Sequence, residues 1–128
     1  MYQATLVGPD LSAGREIVSE LDAAQIKQIT ALFAIFPEYS DWRLVLSSPS
    51  LDQDNSLKAG VKVHGILHGK FDYPLPPIMI LPTKDPFIRE LRKVFRTKIK
   101  VGRQTRVRLG GQTIGNRFID DAFVLRAQ

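Results

Sequence analysis

The sequence predicts an α+β fold, a two-layer sandwich in which two main helices cover a mixed or antiparallel sheet. Three observations carry this expectation. Two stretches place apolar residues at helical spacing, short apolar runs between them suit strands, and the segment around Gly115-Asn116 has the form of a β-hairpin. The order of these elements is close to the split-βαβ, ferredoxin-like plan, extended by the C-terminal hairpin. A three-layer α/β arrangement is the alternative, because WRLVL (42–46) and PIMIL (77–81) can be read as buried parallel strands. One globular domain over residues 1–128 accounts for the chain, which is long enough to bury a core without staples.

Residues 2–7 and 15–21 read as short strands around a turn at Gly8-Pro9-Asp10. Asp22 then stands as the cap of a helix over 23–36, with Gln25 at the third helical position of a capping box. Ile26, Ile29, Phe33 and Phe36 would form its apolar face, which ends before Pro37. A strand over 42–47 follows, with Trp42 as a core residue, and the turn-rich Ser47-Ser48-Pro49-Ser50 closes it. The polar segment 51–59 reads as a loop or short irregular helix, and 61–67 as another strand. Tyr73-Pro74-Leu75-Pro76-Pro77 must be extended, since proline fixes φ and disfavours helix in the residue before it. It connects to a short buried strand over 77–81.

The second helix, 86–96, has Asp85 as cap and Pro86 at the first helical position. Phe87, Ile88, Leu91, Val94 and Phe95 make its apolar stripe, and Arg89, Arg92, Lys93 and Arg96 repeat on the other side. A strand over 98–109 would then turn Ile99, Val101, Thr105, Val107 and Leu109 one way, and Lys98, Lys100, Arg106 and Arg108 the other.

In RLGGQTIGNRFIDD (108–121) a phosphate-cradling loop competes with a hairpin. Gly110 and Gly115 have P-loop separation, but Asn116 and Arg117 occupy the places of Lys and Ser/Thr, and no helical pattern follows. Gly115-Asn116 instead suits a two-residue turn that needs glycine first. Folding there pairs Ile114 with Arg117, Thr113 with Phe118, Leu109 with Ala122 and Val107 with Val124. Asp120 and Asp121 then point to opposite faces and cannot act as a facing acid/base pair.

Charge is distributed unevenly. Residues 1–60 carry four Lys or Arg against eight Asp or Glu, whereas 61–128 carry fourteen against five. Such asymmetry suits an anionic partner, attraction between the halves, or binding of a second copy. Nine Lys or Arg and one acid, Glu90, lie between Arg89 and Arg108. If the helix face of Arg89, Arg92, Lys93 and Arg96 adjoins the strand face of Lys98, Lys100, Arg106 and Arg108, the two make one positive surface for phosphates.

Assembled catalytic chemistry is sparse. The absence of cysteine removes disulfides, thiolate catalysis and cysteine-held metals. His64 and His68 would share a helix face at metal-ligand spacing, but a strand places them about 13 Å apart at ~3.3 Å per residue. Ser47, Ser48 and Ser50 lack a Gly-x-Ser-x-Gly elbow. The expected function is therefore a non-enzymatic binding module for an anionic partner, either nucleic acid or an acidic protein surface. A small enzyme using His64 or His68 with an aspartate is one alternative, and an interaction or assembly subunit is another. No cofactor or metal is expected. Without a signal-peptide pattern or an apolar run of bilayer length, the expected location is cytoplasmic.

Overall fold

Residues 10–39, 41–52, 55–98 and 107–127 are described by a computed structural model of the chain. The expected strand over 2–7 lies outside them. The first described element is a helix, α1 (Leu11–Ala23), where the sequence suggests a strand over 15–21. Asp10 caps it, its side chain accepting from the Ala13 backbone N–H at 3.1 Å, so the apparent turn residue is a helix start. Ala13, Gly14, Ile17, Val18 and Leu21 are buried on one helical face.

The helix expected over 23–36 is not formed. Gln25 and Gln28 have φ of 69° and 52°, which breaks the helical path, and the chain continues as β1 (Thr30–Ile35). This strand is buried on both faces and therefore has no polar side to reveal a period of two. Its apolar run merged with Ile26 and Ile29 into an apparent helical stripe. Next come β2 (Arg43–Ser47), as expected, and a short 3-10 turn (Pro49–Leu51). Ser48 Oγ donates to the Lys27 carbonyl and Ser50 Oγ accepts from the Lys27 N–H, so both hydroxyls tie this turn to the α1–β1 connection.

The strand expected over 61–67 is instead part of α2 (Ser56–Leu67). Asn55 caps α2, accepting from the Lys58 N–H at 2.8 Å. Two glycines and the β-branched Val61, Val63 and Ile66 lower local helix propensity, but packing of Ala59, Val63 and Leu67 overrides it. After the proline arm come β3 (Ile78–Ile80) and α3 (Pro86–Lys98), where Asp85 accepts from the Phe87 N–H at 2.9 Å as the expected cap. The remaining strands are β4 (Val107–Leu109), β5 (Gln112–Ile114), β6 (Arg117–Ile119) and β7 (Asp121–Ala127).

These elements form an α+β sandwich with three helices, a mixed five-stranded sheet in the order β3-β2-β1-β7-β4, and a small β5-β6 sheet. The class is the one expected, while the order of the described elements departs from the split-βαβ plan because three segments exchange helix for strand or strand for helix. β2 and β3 pair in parallel, joined through α2, which is the pairing that motivated the three-layer alternative. The other ladders are antiparallel. Ile114 pairs with Arg117, Thr113 with Phe118, Leu109 with Ala122 and Val107 with Val124, so every expected hairpin pair is present.

Both faces of the sheet are packed. Ile17, Val18 and Leu21 of α1 and Ala59, Val63 and Leu67 of α2 cover Phe33, Leu44 and Leu46. Across the sheet, Phe87, Ile88 and Leu91 of α3 meet Leu32, Ala34, Val45, Ala122 and Val124, joined by Ile114 and Ile119 of the hairpin. Gly115 at the turn has φ of +60°, and a Cβ there would lie 2.5 Å from the Pro86 carbonyl oxygen. Glycine therefore satisfies both the turn and the seat of the hairpin against α3.

Candidate functional site

The cationic helix is positioned by its own buried stripe. With Phe87, Ile88 and Leu91 held against the sheet, Arg89 and Lys93 are exposed and Arg92 is half-buried at the flank. The Arg92 Nε is buried and has no hydrogen-bond partner among the described residues. Arg96 and Lys98 lie within α3, so Lys98 is helical where the sequence suggested that it begins a strand. Lys100 and Arg106 lie outside the described residues.

Arg108 is placed differently from the expectation. Its strand partner is Phe123, whose ring it overlies at 5.0 Å, and Phe123 is level with Phe33 on the α1–α2 face of the sheet. The neighbouring Leu109 packs on the α3 face. Strand alternation therefore turns Arg108 away from α3. Asp121 also engages it with both oxygens, accepting from Nε at 3.1 Å and Nη2 at 2.6 Å. A single surface joining Arg108 to the α3 residues is not what this register provides.

Other cations have acidic neighbours as well. Lys70 lies 3.4 Å from Glu20, Arg126 lies 2.8 Å from Asp22, and Arg117 lies 3.9 Å from Asp85. The first two pairs join the basic C-terminal half to the acidic N-terminal half, so part of the charge asymmetry is satisfied within the fold. No ion pair within the described residues holds Arg89, Arg92 or Lys93.

His64 and His68 are exposed near and at the C-terminal end of α2, not on a strand. Strand spacing therefore does not separate them as expected, since residues four apart on a helix are neighbours. Neither imidazole hydrogen-bonds a carboxylate among the described residues, and no group of three or more His, Cys, Asp or Glu is placed to hold a metal there.

Two clefts are present away from these residues. One, about 260 Å³, lies between α1 and the segment after α2 and is lined by Glu16, Glu20, Lys70, Asp72 and Tyr73 among others. Tyr73 donates to Glu16 there, which with lesser burial and nearby acids pushes the phenol pKa up to about 12. The other, about 270 Å³, lies beyond the C-terminal ends of β2 and β3 and includes Leu51, Asp52, Ile80 and Lys84. The Asp52 carboxylate accepts from both the backbone N–H and the hydroxyl of Thr83. Neither cleft contains a histidine.

Two features escaped the sequence reading. The Arg43 guanidinium stacks 3.7 Å from the Tyr39 ring centre, a contact that depends on β1 ending where it does. Leu57 and Val61 are exposed on α2, which only became visible once that segment was seen as a helix. No helix among the described residues is long and apolar enough to cross a membrane. Comparison with known protein families, with curated proteins and with solved structures finds no match to this chain.

Proposed function

We propose that this chain is a non-enzymatic binding module that engages an anionic partner, nucleic acid foremost, through α3 and the basic segment after it. Arg89, Arg92 and Lys93 are the described contact residues, and Arg96, Lys98, Lys100 and Arg106 extend the same run. One observation carries the reading. Deep burial of Phe87, Ile88 and Leu91 anchors a helix on which Arg89, Arg92 and Lys93 have no acidic partner among the described residues, whereas Lys70, Arg108, Arg117 and Arg126 each have one. Cations left unpaired on a rigid element are available to phosphates without first breaking an internal ion pair. Arg108 is excluded because it faces the other side of the sheet and is held by Asp121.

Fluorescence anisotropy with labelled duplex DNA, duplex RNA and single strands, across a salt series, tests the proposal. Binding is expected at low salt. Loss of three duplex-DNA phosphate contacts in the Arg89→Gln, Arg92→Gln, Lys93→Gln variant would flatten the log–log salt slope by about 2.7. A folded chain that binds none of these nucleic acids at about 50 mM salt, or a triple variant with an unchanged slope, would overturn it.

A further inference from the structure

On α2, Leu57, Val61, His64 and His68 recur at spacings of four, three and four, and so share one sector of the helix away from Ala59, Val63 and Leu67. Leu57 is 77% and Val61 67% exposed, and both histidines are exposed. The His68 N–H donates to the His64 carbonyl at 2.9 Å, which keeps the backbone helical up to His68. The two side chains therefore start about 5–6 Å apart at Cβ. This is the i, i+4 arrangement in which two helical histidines can grip one zinc ion.

The donor chemistry selects the ion. Imidazole suits zinc, copper(II) and nickel, whereas magnesium and calcium prefer oxygen. Carbonyls at the C-terminal end of α2 add partial negative charge on the side where the cation would sit. Lys58 and Lys62 fall about 90° or more around the helix from the stripe, by helical geometry.

Two imidazoles leave a tetrahedral ion half-coordinated, and the described residues supply no third ligand in the same group. A two-fold axis beside the stripe would bring the same pair from another chain to the ion and complete four nitrogens. Two glycines support a close approach there. Gly60 and Gly65 flank the stripe, and a Cβ added at either would meet nothing within 4 Å. Gly14, by contrast, is required within the chain, because a Cβ there would lie 2.6 Å from the Phe33 ring. Glycine inside a helix costs stability, so its use where no internal contact demands it suits the approach of a second backbone.

We propose that two copies of this chain pair through α2, stripe against stripe, around one zinc-class ion held by His64 and His68 of each copy. Leu57 and Val61 alone offer far less than the roughly 1,200 Å² of a stable interface. Pairing therefore depends on the ion, and the metal-free chain is a monomer.

Sedimentation velocity with zinc added to the chelator-treated protein, alongside a measurement of bound zinc, tests this proposal. The expected result is a monomer without metal and a dimer with one zinc per two chains. His64→Ala and His68→Ala should each raise the zinc needed for pairing by at least about tenfold, since each removes half of a chain's donors. Both sites are exposed, and far-UV circular dichroism verifies that the variants remain folded. Gly65→Leu keeps both histidines but obstructs close helix approach, and it too should weaken pairing. The proposal is overturned if the chain stays monomeric at tenfold excess zinc or binds one zinc per monomer. Zinc-dependent pairing that survives in the double histidine variant would overturn it equally.

Discussion

Helices α2 and α3 are 12 and 13 residues long, lie on opposite faces of one sheet, and each bury three of their described residues deeply. Outside, they differ in kind. α2 turns Leu57, Val61 and two histidines to solvent, whereas α3 turns Arg89 and Lys93 outward. Packing against the sheet dictates only the inner face of either helix, so the fold accounts for Val63 and Leu91 but not for Val61 or Lys93. The outer faces are where the two helices suit different partners. A cationic face attracts over a Debye length and weakens with salt, while an apolar and imidazole face acts at contact distance.

The largest effect expected within this comparison is the contrast between inner and outer positions. Leu91→Ala should destabilise the fold by about 2–5 kcal/mol through transfer and cavity costs. Arg89→Gln should leave the denaturant midpoint unchanged within error. Equal losses at both positions, measured by chemical unfolding, would remove the distinction between a packed face and a free one. On α1, where Gly14 faces the sheet, Gly14→Ala must push Phe33 and Leu125 aside and should cost about 1–3 kcal/mol by overpacking.

Smaller effects sharpen the picture. Gly65→Ala on α2 should stabilise the metal-free chain by about 0.5–1 kcal/mol, because the space is open and alanine favours helix. A loss of stability there would mean that the glycine serves a contact within the chain. In the nucleic-acid assay, Arg108→Gln should leave the salt slope unchanged, in contrast to substitutions on α3.

The smallest signal belongs to Tyr73, which ties the segment after α2 back to α1. With its pKa raised to about 12, the phenol contributes stability fully below the ordinary value and loses that contribution as pH rises through 12. Ultraviolet titration should show a late phenol that disappears in Tyr73→Phe. A Tyr73→Phe titration curve identical in shape to that of the parent would show the contact with Glu16 to be absent in solution.

What was legible in the sequence depended on local chemistry. Asp85-Pro86 marks the start of α3 by a cap and a preset φ, and Gly115-Asn116 marks the hairpin by a turn that only certain residues adopt. The pairing of Val107 with Val124 followed from that turn by counting. β1 was hidden because burial on both faces erases alternation, and α2 because its glycines and β-branched residues imitate a strand. The exposure of Arg89 and Lys93 could be read from helical spacing. The position of Arg108 could not, since its face follows from the register of β4 on β7 and its partner Asp121 is 13 residues away. The histidine pair was misplaced for the same reason as α2 itself.

The short β3 edge of the sheet formed by the described strands has a consequence for how copies of the chain can meet. β3, at one edge, has three residues and stands between Pro77 and Pro82, neither of which can donate to a neighbouring strand. An incoming strand would therefore find a ladder too brief to extend. An edge this short and interrupted resists the open-ended strand addition that leads to fibres. Association through a helix face with two-fold symmetry uses up the same surface on both copies, so it ends at two chains.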